Sequence, residues 1–167
     1  MQRLLFKSYI QAIENSVNTN LFRNFYIEEG GVERDVMNNG EFSGAYFVSG
    51  LLRLFNQQKK PHATVASTVR DLEEQQLWVK LSPVSELEPG DVVLFEAAEF
   101  PEEPGVFYQQ LGFYLSNEWV VLNDYKSGCP QKTKLNLDNR KIEAVYRGKD
   151  QFDKLPQPEL EESASAS

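Results

Sequence analysis

Cysteine and histidine, two side chains often used in catalysis, are scarce in this 167-residue chain. Cys129 is the only cysteine and His62 is the only histidine. One cysteine cannot form a disulfide within the chain, and one histidine cannot anchor an ordinary zinc site, which needs several nitrogen or sulfur ligands. We therefore predict no metal and no cofactor. His62 is interpreted as a structural or solvated loop residue, and Cys129 as a surface or half-buried thiol.

Ser43 is the remaining candidate nucleophile. It lies at the start of a predicted helix, where the first N–H groups have no partner within the helix and carry the positive end of the helix dipole. A serine hydroxyl needs a base to become a nucleophile, and the nearby carboxylate of Glu41 is a weak one. A hydrolase that uses Ser43 as its nucleophile is therefore one hypothesis, provided that a base activates the hydroxyl.

Sequence periodicity predicts the elements that must position these groups. Apolar residues recur at helical spacing in three segments, and Thr64 is placed to cap the third. The predicted helices cover residues 2–17, a segment from Ser43 or Gly44 to Phe55, and residues 65–76. From Trp78 onward the pattern changes to short strands, which indicates an α+β fold. The predicted strands are Val92–Phe95, Leu111–Leu115, Trp119–Leu122 and Ile142–Tyr146, with an acidic loop at 96–105 and a hairpin turn at 116–118.

Length and composition indicate one domain over residues 1–149, followed by a tail. A chain of 167 residues can bury a sizeable core, and contents of 41% hydrophobic and 12% aromatic residues are typical of a globular protein. Residues 150–167 are mostly polar or small, and Pro, Glu, Ser and Ala make up more than half of them. We predict that they form a disordered acidic tail.

The charge distribution argues against nucleic acid as a partner. The net charge is −8, and the tail carries half of it, with five acidic residues and one lysine. The rest of the chain is mildly acidic, which disfavours a basic binding surface. Segment 126–149 is a local exception with seven basic residues, and we interpret it as a solvated strand face. Neither a signal-peptide core nor a membrane span is visible, so we expect a cytoplasmic location.

Three short motifs follow one another along the chain. They are Phe47-Val48-Ser49 in the central helix, the run Pro89-Gly90-Asp91-Val92-Val93-Leu94-Phe95, and the strand Gln110-Leu111-Gly112-Phe113-Tyr114-Leu115. Together with the small-residue turn before the helix, they resemble the NlpC/P60 and CHAP branch of the papain-like cysteine peptidases and amidases. The resemblance covers residues 38 to 147. It implies a papain-like domain in which N-terminal helices precede an antiparallel β meander or half-barrel.

The resemblance also implies where a catalytic site would lie. In that family a cysteine at the helix start attacks an amide, a histidine at the head of the Gly-aromatic-Tyr strand takes the proton, and a polar residue on the next strand orients the histidine. The cysteine position falls on Gly44, or on Phe42 in a second alignment, and the histidine position falls on Gln110. The neutral amide of Gln110 is not a general base near pH 7. Asn123 matches the orienting position.

The absence of a cysteine and a histidine at these positions leads to the predicted function. The chain resembles a peptidase domain that has lost its reaction and keeps a cleft for a peptide, glycopeptide or protein ligand. One alternative is an active amidase or peptidase with Ser43 as an unconventional nucleophile. A third hypothesis is a regulatory or structural subunit that assembles through its N-terminal helix, and the oligomeric state is left open. The predicted binding residues are Phe42, Ser43, Gly44, Tyr108, Gln110 and Asn123.

Overall fold

The fold is that of a computed structural model, which describes residues 3–136, 139–148 and Phe152. The helices are α1 (Leu5–Asn15), α2 (Gly44–Leu54) and α3 (Val65–Glu74). The strands are β1 (Tyr26–Glu29), β2 (Val32–Asp35), β3 (Trp78–Leu81), β4 (Val92–Glu99), β5 (Phe107–Ser116), β6 (Trp119–Asp124), β7 (Cys129–Lys134) and β8 (Ile142–Gly148). In the part of the chain described, none of the helices has the length and apolar character needed to cross a membrane.

Six strands form one antiparallel sheet in the order β3-β8-β4-β5-β6-β7, and β1 and β2 form a separate hairpin. From β4 to β7 each strand pairs with the next, so the centre of the sheet is a meander. The predicted α+β class and antiparallel meander are therefore confirmed. The predicted hairpin between β5 and β6 is also present, with Asn117 and Glu118 at positive φ as a tight hairpin turn requires.

The core lies between the helices and one face of the sheet. Along β5, Leu111 and Phe113 belong to the same buried cluster as Phe47, Val48 and Leu51 of α2. The ring centroids of Phe47 and Phe113 lie 5.5 Å apart in an edge-to-face arrangement. This contact sets α2 across the sheet, so the N-terminus of the helix lies beside the strands that carry the predicted site residues.

The structure differs from the predicted local structure in three places. β4 continues to Glu99, so the segment predicted as an acidic loop from residue 96 begins as strand. Its pairing with β5 shifts register between Phe95 and Ala98, and this irregularity lets the strand continue into a polar segment. β7 and the β1–β2 hairpin were not predicted, since both lack the apolar alternation of a half-buried strand. β7 contains Pro130, which an edge strand tolerates.

Phe152 extends the core beyond the predicted domain boundary at residue 149. Its side chain is 5% exposed and its ring stacks on Tyr9 of α1, with 4.4 Å between the ring centroids. Phe152, which was predicted to lie in the tail, therefore packs with the core residues. The other residues of the segment 150–167 lie outside the described part of the chain.

Candidate functional site

One carboxylate organises the loop that leads into α2. Asp35, the last residue of β2, accepts four hydrogen bonds at 2.7 to 3.0 Å. Burial alone would raise the pKa of Asp35, but these hydrogen bonds outweigh it and hold the pKa below its ordinary value. The loop is therefore closed around a charged acceptor. The donors are the backbone N–H groups of Phe25, Met37 and Asn39 and the side-chain amide of Asn24.

Two glycines then dock this loop on the turn between β6 and β7. Gly40 and Gly128 have positive φ, at 96° and 69°. A Cβ atom on Gly40 would lie 2.1 Å from the carbonyl oxygen of Gly128, and one on Gly128 would lie 2.6 Å from the carbonyl oxygen of Asn39. The side-chain amide of Asn123 on β6 also donates to the carbonyl oxygen of Gly40, at 2.8 Å. These contacts bring the start of α2 against the sheet.

The start of α2 is not capped by the side chain of its N-cap residue. Ser43 is the N-cap residue, and its side chain makes no capping hydrogen bond. Gly44 follows as the first helical residue, and a Cβ atom built on it would meet nothing within 4 Å. The first N–H groups of α2 lack partners within the helix and carry the positive end of its dipole. Gly44 therefore combines open space with a helix terminus.

A cleft of about 150 Å³ lies at this helix start. Gly44 of α2, Gln110 of β5 and Asn123 of β6 all line it. The structure thus brings together the three positions that the resemblance assigned to the catalytic site. Phe42, which is 48% exposed, and Tyr108 line the same cleft.

Ser43 does not share this placement. Its side chain is 0% exposed, and Ser43 is not among the residues that line the cleft. Its hydroxyl donates to the carbonyl oxygen of Arg23 over a long distance of 3.5 Å. This placement does not support the prediction of Ser43 as a binding residue, because the residue before the first helical turn is buried in the domain.

Gln110 and Asn123 form a network of amides across the cleft. Gln110 Nε2 donates to the backbone carbonyl of Asn123 at 2.8 Å, and Gln110 Oε1 accepts from Arg140 Nη1 at 3.1 Å. The side-chain oxygen of Asn123 is buried, without a hydrogen-bond partner among the described residues. Neutral amides can donate and accept hydrogen bonds but do not take up protons near pH 7. The network can bind and orient a ligand, and it cannot act as a general base.

The only thiol and the only imidazole of the chain lie elsewhere. Cys129 is buried on β7, with its sulfur 3.3 Å from the side-chain nitrogen of Gln131. The ring of His62 lies 2.9 Å from the carboxylate of Asp71 on α3. Burial would raise the pKa of Asp71, but hydrogen bonds, the first of them from His62, outweigh it and lower the pKa. Neither Cys129 nor His62 lines the cleft.

Aromatic rings form one wall of the cleft. Phe100, in the loop after β4, is buried beneath three other rings at centroid distances of 5.1 to 5.9 Å. These rings belong to Phe42, Tyr108 and Tyr125. The sequence did not predict Phe100 or Tyr125 as site residues. The only signal for Phe100 was a large aromatic residue within a stretch of acidic ones.

Comparison with known proteins assigns no family. No protein-family model matches the sequence, and no curated protein matches it significantly. The likeness to the NlpC/P60 and CHAP branch thus stays a prediction from three motifs. The function of the cleft has to be inferred from its own side chains.

Proposed function

We propose that this protein is an inactive relative of the NlpC/P60 and CHAP papain-like peptidases that binds a peptide, glycopeptide or protein ligand. The supporting observation is the meeting of Gly44, Gln110 and Asn123 at the start of α2. The resemblance assigns these positions to the nucleophile, the base and the orienting residue. The first two carry no group that can perform those roles. The cleft is then a binding site.

The chemistry of the cleft suits a peptide backbone with an apolar side chain. The first N–H groups of α2, which have no partner within the helix, are donors for a ligand carbonyl. The amides of Gln109 and Gln110 also line the cleft, and each has capacity for a further hydrogen bond beyond those it makes within the protein. The rings of Phe42 and Tyr108 offer apolar contact area at low entropic cost. A concave site with an aromatic wall and a few polar groups is the usual form of a ligand site.

The two other hypotheses have less support. Ser43 is buried and bonded to a backbone carbonyl, so its hydroxyl is poorly placed to attack a substrate in the cleft. On α1, Tyr9 and Ile13 are fully buried, so this helix belongs to the core and is not a free arm for assembly. Neither observation favours a second function over ligand binding.

A hydrolysis assay tests the loss of activity directly. We expect the protein to release no product from peptide and glycopeptide amides, because neither a thiolate nor an imidazole lines the cleft among the described residues. If the wild type released product and Ser43→Ala or Gln110→Ala did not, the protein would be an active enzyme. In that case the proposal fails.

Introducing a cysteine at Gly44 and a histidine at Gln110 tests whether these residues occupy the nucleophile and base positions. In a Cys129→Ser background, Gly44→Cys places a thiol in open space at the start of α2. We expect its pKa to fall below the ordinary value of about 8.5, and to fall further when Gln110→His adds an imidazolium beside it. The rate of alkylation by iodoacetamide, followed against pH, reports this pKa.

Val84→Cys in the same background is the matched control, because Val84 is 91% exposed in a loop outside the helices and strands. Its thiol is expected to titrate at the ordinary value. If the Gly44→Cys thiol titrates like the control, and Gln110→His does not change it, the two positions are not a catalytic pair. The assignment of the degenerate site would then be wrong.

A further inference from the structure

Strand β7 forms one edge of the six-stranded sheet, and in the described part of the chain only β6 pairs with it. In an antiparallel pair, every second residue exchanges backbone hydrogen bonds with the neighbouring strand. The residues between them point their N–H and C=O groups away from that strand. The outer side of β7 is therefore a template on which a further strand can pair.

Two hydrogen bonds show which residues of β7 point outward. The N–H of Leu135 donates to the carbonyl of Glu118 at 2.7 Å, and this pair continues the register of β7 with β6. The backbone groups of the odd-numbered residues therefore face β6. From the other side, the N–H of Asn18 donates to the carbonyl of Pro130 at 2.9 Å. The even-numbered residues thus point outward, and at Pro130 the edge is already covered.

Lys132 and Lys134 form the open part of this edge. Each presents one N–H and one C=O group on the side away from β6. Among the described residues, none of these four groups has a hydrogen-bond partner. An added strand would therefore displace no hydrogen bond of the protein.

A cavity of about 270 Å³ lies beside the same edge. The consecutive residues 131–135 line it, together with Phe95 of β4 and Leu122 of β6. This cavity and the cleft at the start of α2 have four lining residues in common and therefore border each other. These are Tyr108, Gln110, Asn123 and Tyr125.

One face of β7 is basic. Lys134 lies directly opposite Trp119 of β6, and the ammonium groups of Lys132 and Lys134 lie 5.5 Å and 4.3 Å from the centroid of the Trp119 ring. Lys134 also donates to the carbonyl of Asn117, but among the described residues neither lysine has a carboxylate partner. The acidic residue that lines the cavity, Asp124, lies at the other end of β6.

The opposite face of β7 is neutral and borders apolar surface. Gln131 lies opposite Leu122 in the register with β6, so their side chains share this face. Leu122 and Phe95 line the cavity there. A strand added to β7 would thus meet two ammonium groups on one face and an apolar surface on the other.

We propose that β7 binds an extended acidic peptide as an additional antiparallel strand at Lys132 and Lys134. This inference rests on the proposed peptide-binding function and gives the ligand a conformation and a chemical class. The peptide residue opposite each lysine exchanges two backbone hydrogen bonds with it and places its side chain on the basic face. Those side chains are carboxylates, and the residues between them carry apolar side chains toward Leu122.

The lysines make this edge selective. Lysine on an edge strand commonly discourages pairing with another sheet. Two ammonium groups oppose a basic strand and attract an acidic one, because like charges directly opposite each other are destabilising and opposite charges are stabilising. The net charge of −8 does not attract anions over long range, so the preference comes from this local contact.

An NMR titration of the isotope-labelled full-length protein tests the proposal. The probes are acetyl-Glu-Val-Glu-Val-Glu-amide and its matched control, acetyl-Gln-Val-Gln-Val-Gln-amide. We expect the glutamate peptide to shift the backbone amide resonances of residues 131–134 that carry an N–H. At low salt it should bind about threefold to tenfold more tightly than the glutamine peptide, and this difference should shrink as salt is added.

N-methylated peptides separate strand pairing from charge attraction. The nitrogen of the central glutamate faces β7 when this residue lies opposite either lysine, whereas the valine nitrogens point away. Methylating the glutamate nitrogen should weaken binding about tenfold or more, since it removes a hydrogen bond and obstructs the pairing. Methylating one valine nitrogen should leave the affinity unchanged.

Variants of Lys132 test the same hydrogen bonds from the protein side. Lys132→Ala removes the charge, and Lys132→Pro removes the charge and the outward N–H, which β6 does not use. The proline variant should therefore bind more weakly than the alanine variant. Lys7→Ala, on the exposed face of α1, is the control for loss of one charge. The amide spectrum reports whether each variant is folded, and the N-methylated peptides do not depend on it.

Two other occupants of the edge would overturn the proposal. If the resonances of β7 move with protein concentration in the absence of peptide, a second copy of the chain pairs there. If they move when Glu159, Glu161 and Glu162 are replaced together by glutamine, the acidic C-terminal segment of the chain itself occupies the edge.

The remaining outcomes separate this inference from the proposed function. Shifts confined to residues of the cleft, equal effects of the two N-methyl groups, or equal affinity of the glutamate and glutamine peptides would overturn strand addition and leave peptide binding intact. If the peptides shift neither the cleft nor β7, both proposals fail. Binding at β7 that is lost with the N-methylated glutamate and kept with the N-methylated valine supports both.

Discussion

Asp35 lies outside the cleft, but its charge determines how the loop before α2 is held. Its pKa is lowered in the folded protein by hydrogen bonds, so its contribution to stability is complete above the pKa of an unfolded aspartate, about 3.9, and is lost as the pH falls through the folded pKa. Asp35→Asn should therefore be less stable than the wild type near neutral pH. The difference should shrink in acid. Urea denaturation between about pH 7 and about pH 3 measures this difference.

Glu33→Gln serves as the control for Asp35→Asn. Glu33 is an exposed residue of the same strand, so replacing it tests the effect of removing one negative charge from β2. We expect little change in the urea midpoint at any pH. A difference between Asp35→Asn and the wild type that stays constant down to about pH 3 would contradict a role for the carboxylate charge.

Single residues also show which parts of the site a sequence can predict. Gly44, Gln110 and Asn123 lie at a helix start or on strands that the sequence predicts, and the resemblance to a known family implied that these positions meet. Arg140 and Phe100 come from loops, and their positions depend on a register shift in β4 and on contacts with residues distant in the chain. Local periodicity contains no information on such contacts.

At the level of elements, the position of α2 depends on the contact between its leading loop and the β6–β7 turn. Gly128→Ala should destabilise the protein for two reasons. The positive φ of 69° costs about 1 to 2 kcal/mol for a residue with a Cβ atom, and the added carbon would lie 2.6 Å from the carbonyl oxygen of Asn39. We expect a loss of stability larger than the φ cost alone, measured by urea denaturation.

Gly105→Ala is the matched control for the φ cost. Gly105 also has a positive φ, of 88°, but a Cβ atom there would meet nothing within 4 Å. Its substitution should cost about 1 to 2 kcal/mol and leave the spectra of the cleft residues unchanged. Equal losses in Gly105→Ala and Gly128→Ala would mean that the close approach of the two loops does not determine the position of α2.

Elements with strong local signals were predicted and those stabilised by distant contacts were not. α2 starts and ends within a residue of its predicted bounds, and Thr64 caps α3 by accepting a hydrogen bond from the N–H of Ser67. β7 is mostly polar and is held by pairing with β6 and by a bond from the N–H of Asn18 to the carbonyl of Pro130. Its existence depends on the neighbouring strand, which the pattern of its own residues does not indicate.

At the level of the whole molecule, α1 and Phe152 pack against the same part of the hydrophobic core. Tyr9 donates its hydroxyl to the carbonyl of Gly90 at 2.8 Å and packs between the rings of Phe113 and Phe152. Burial, with a smaller contribution from Asp91, raises the pKa of Tyr9 well above its usual value, so the phenol stays neutral. A test of assembly through α1 therefore has to change its exposed side chains, because deleting the helix would remove part of the core.

Phe152→Ala tests whether the folded domain extends beyond residue 149. Removing a buried phenylalanine typically costs about 3 to 5 kcal/mol, since both the transfer free energy and a cavity contribute. Phe152 contacts Phe6, Tyr9 and Trp78 at centroid distances of 4.4 to 6.3 Å, so we expect a loss in this range by urea denaturation. The same substitution at Phe107, which is 65% exposed, should change stability by less than about 0.5 kcal/mol. If Phe152→Ala behaved like Phe107→Ala, Phe152 would contribute nothing to the core, and the domain would end near residue 149 as the sequence predicts.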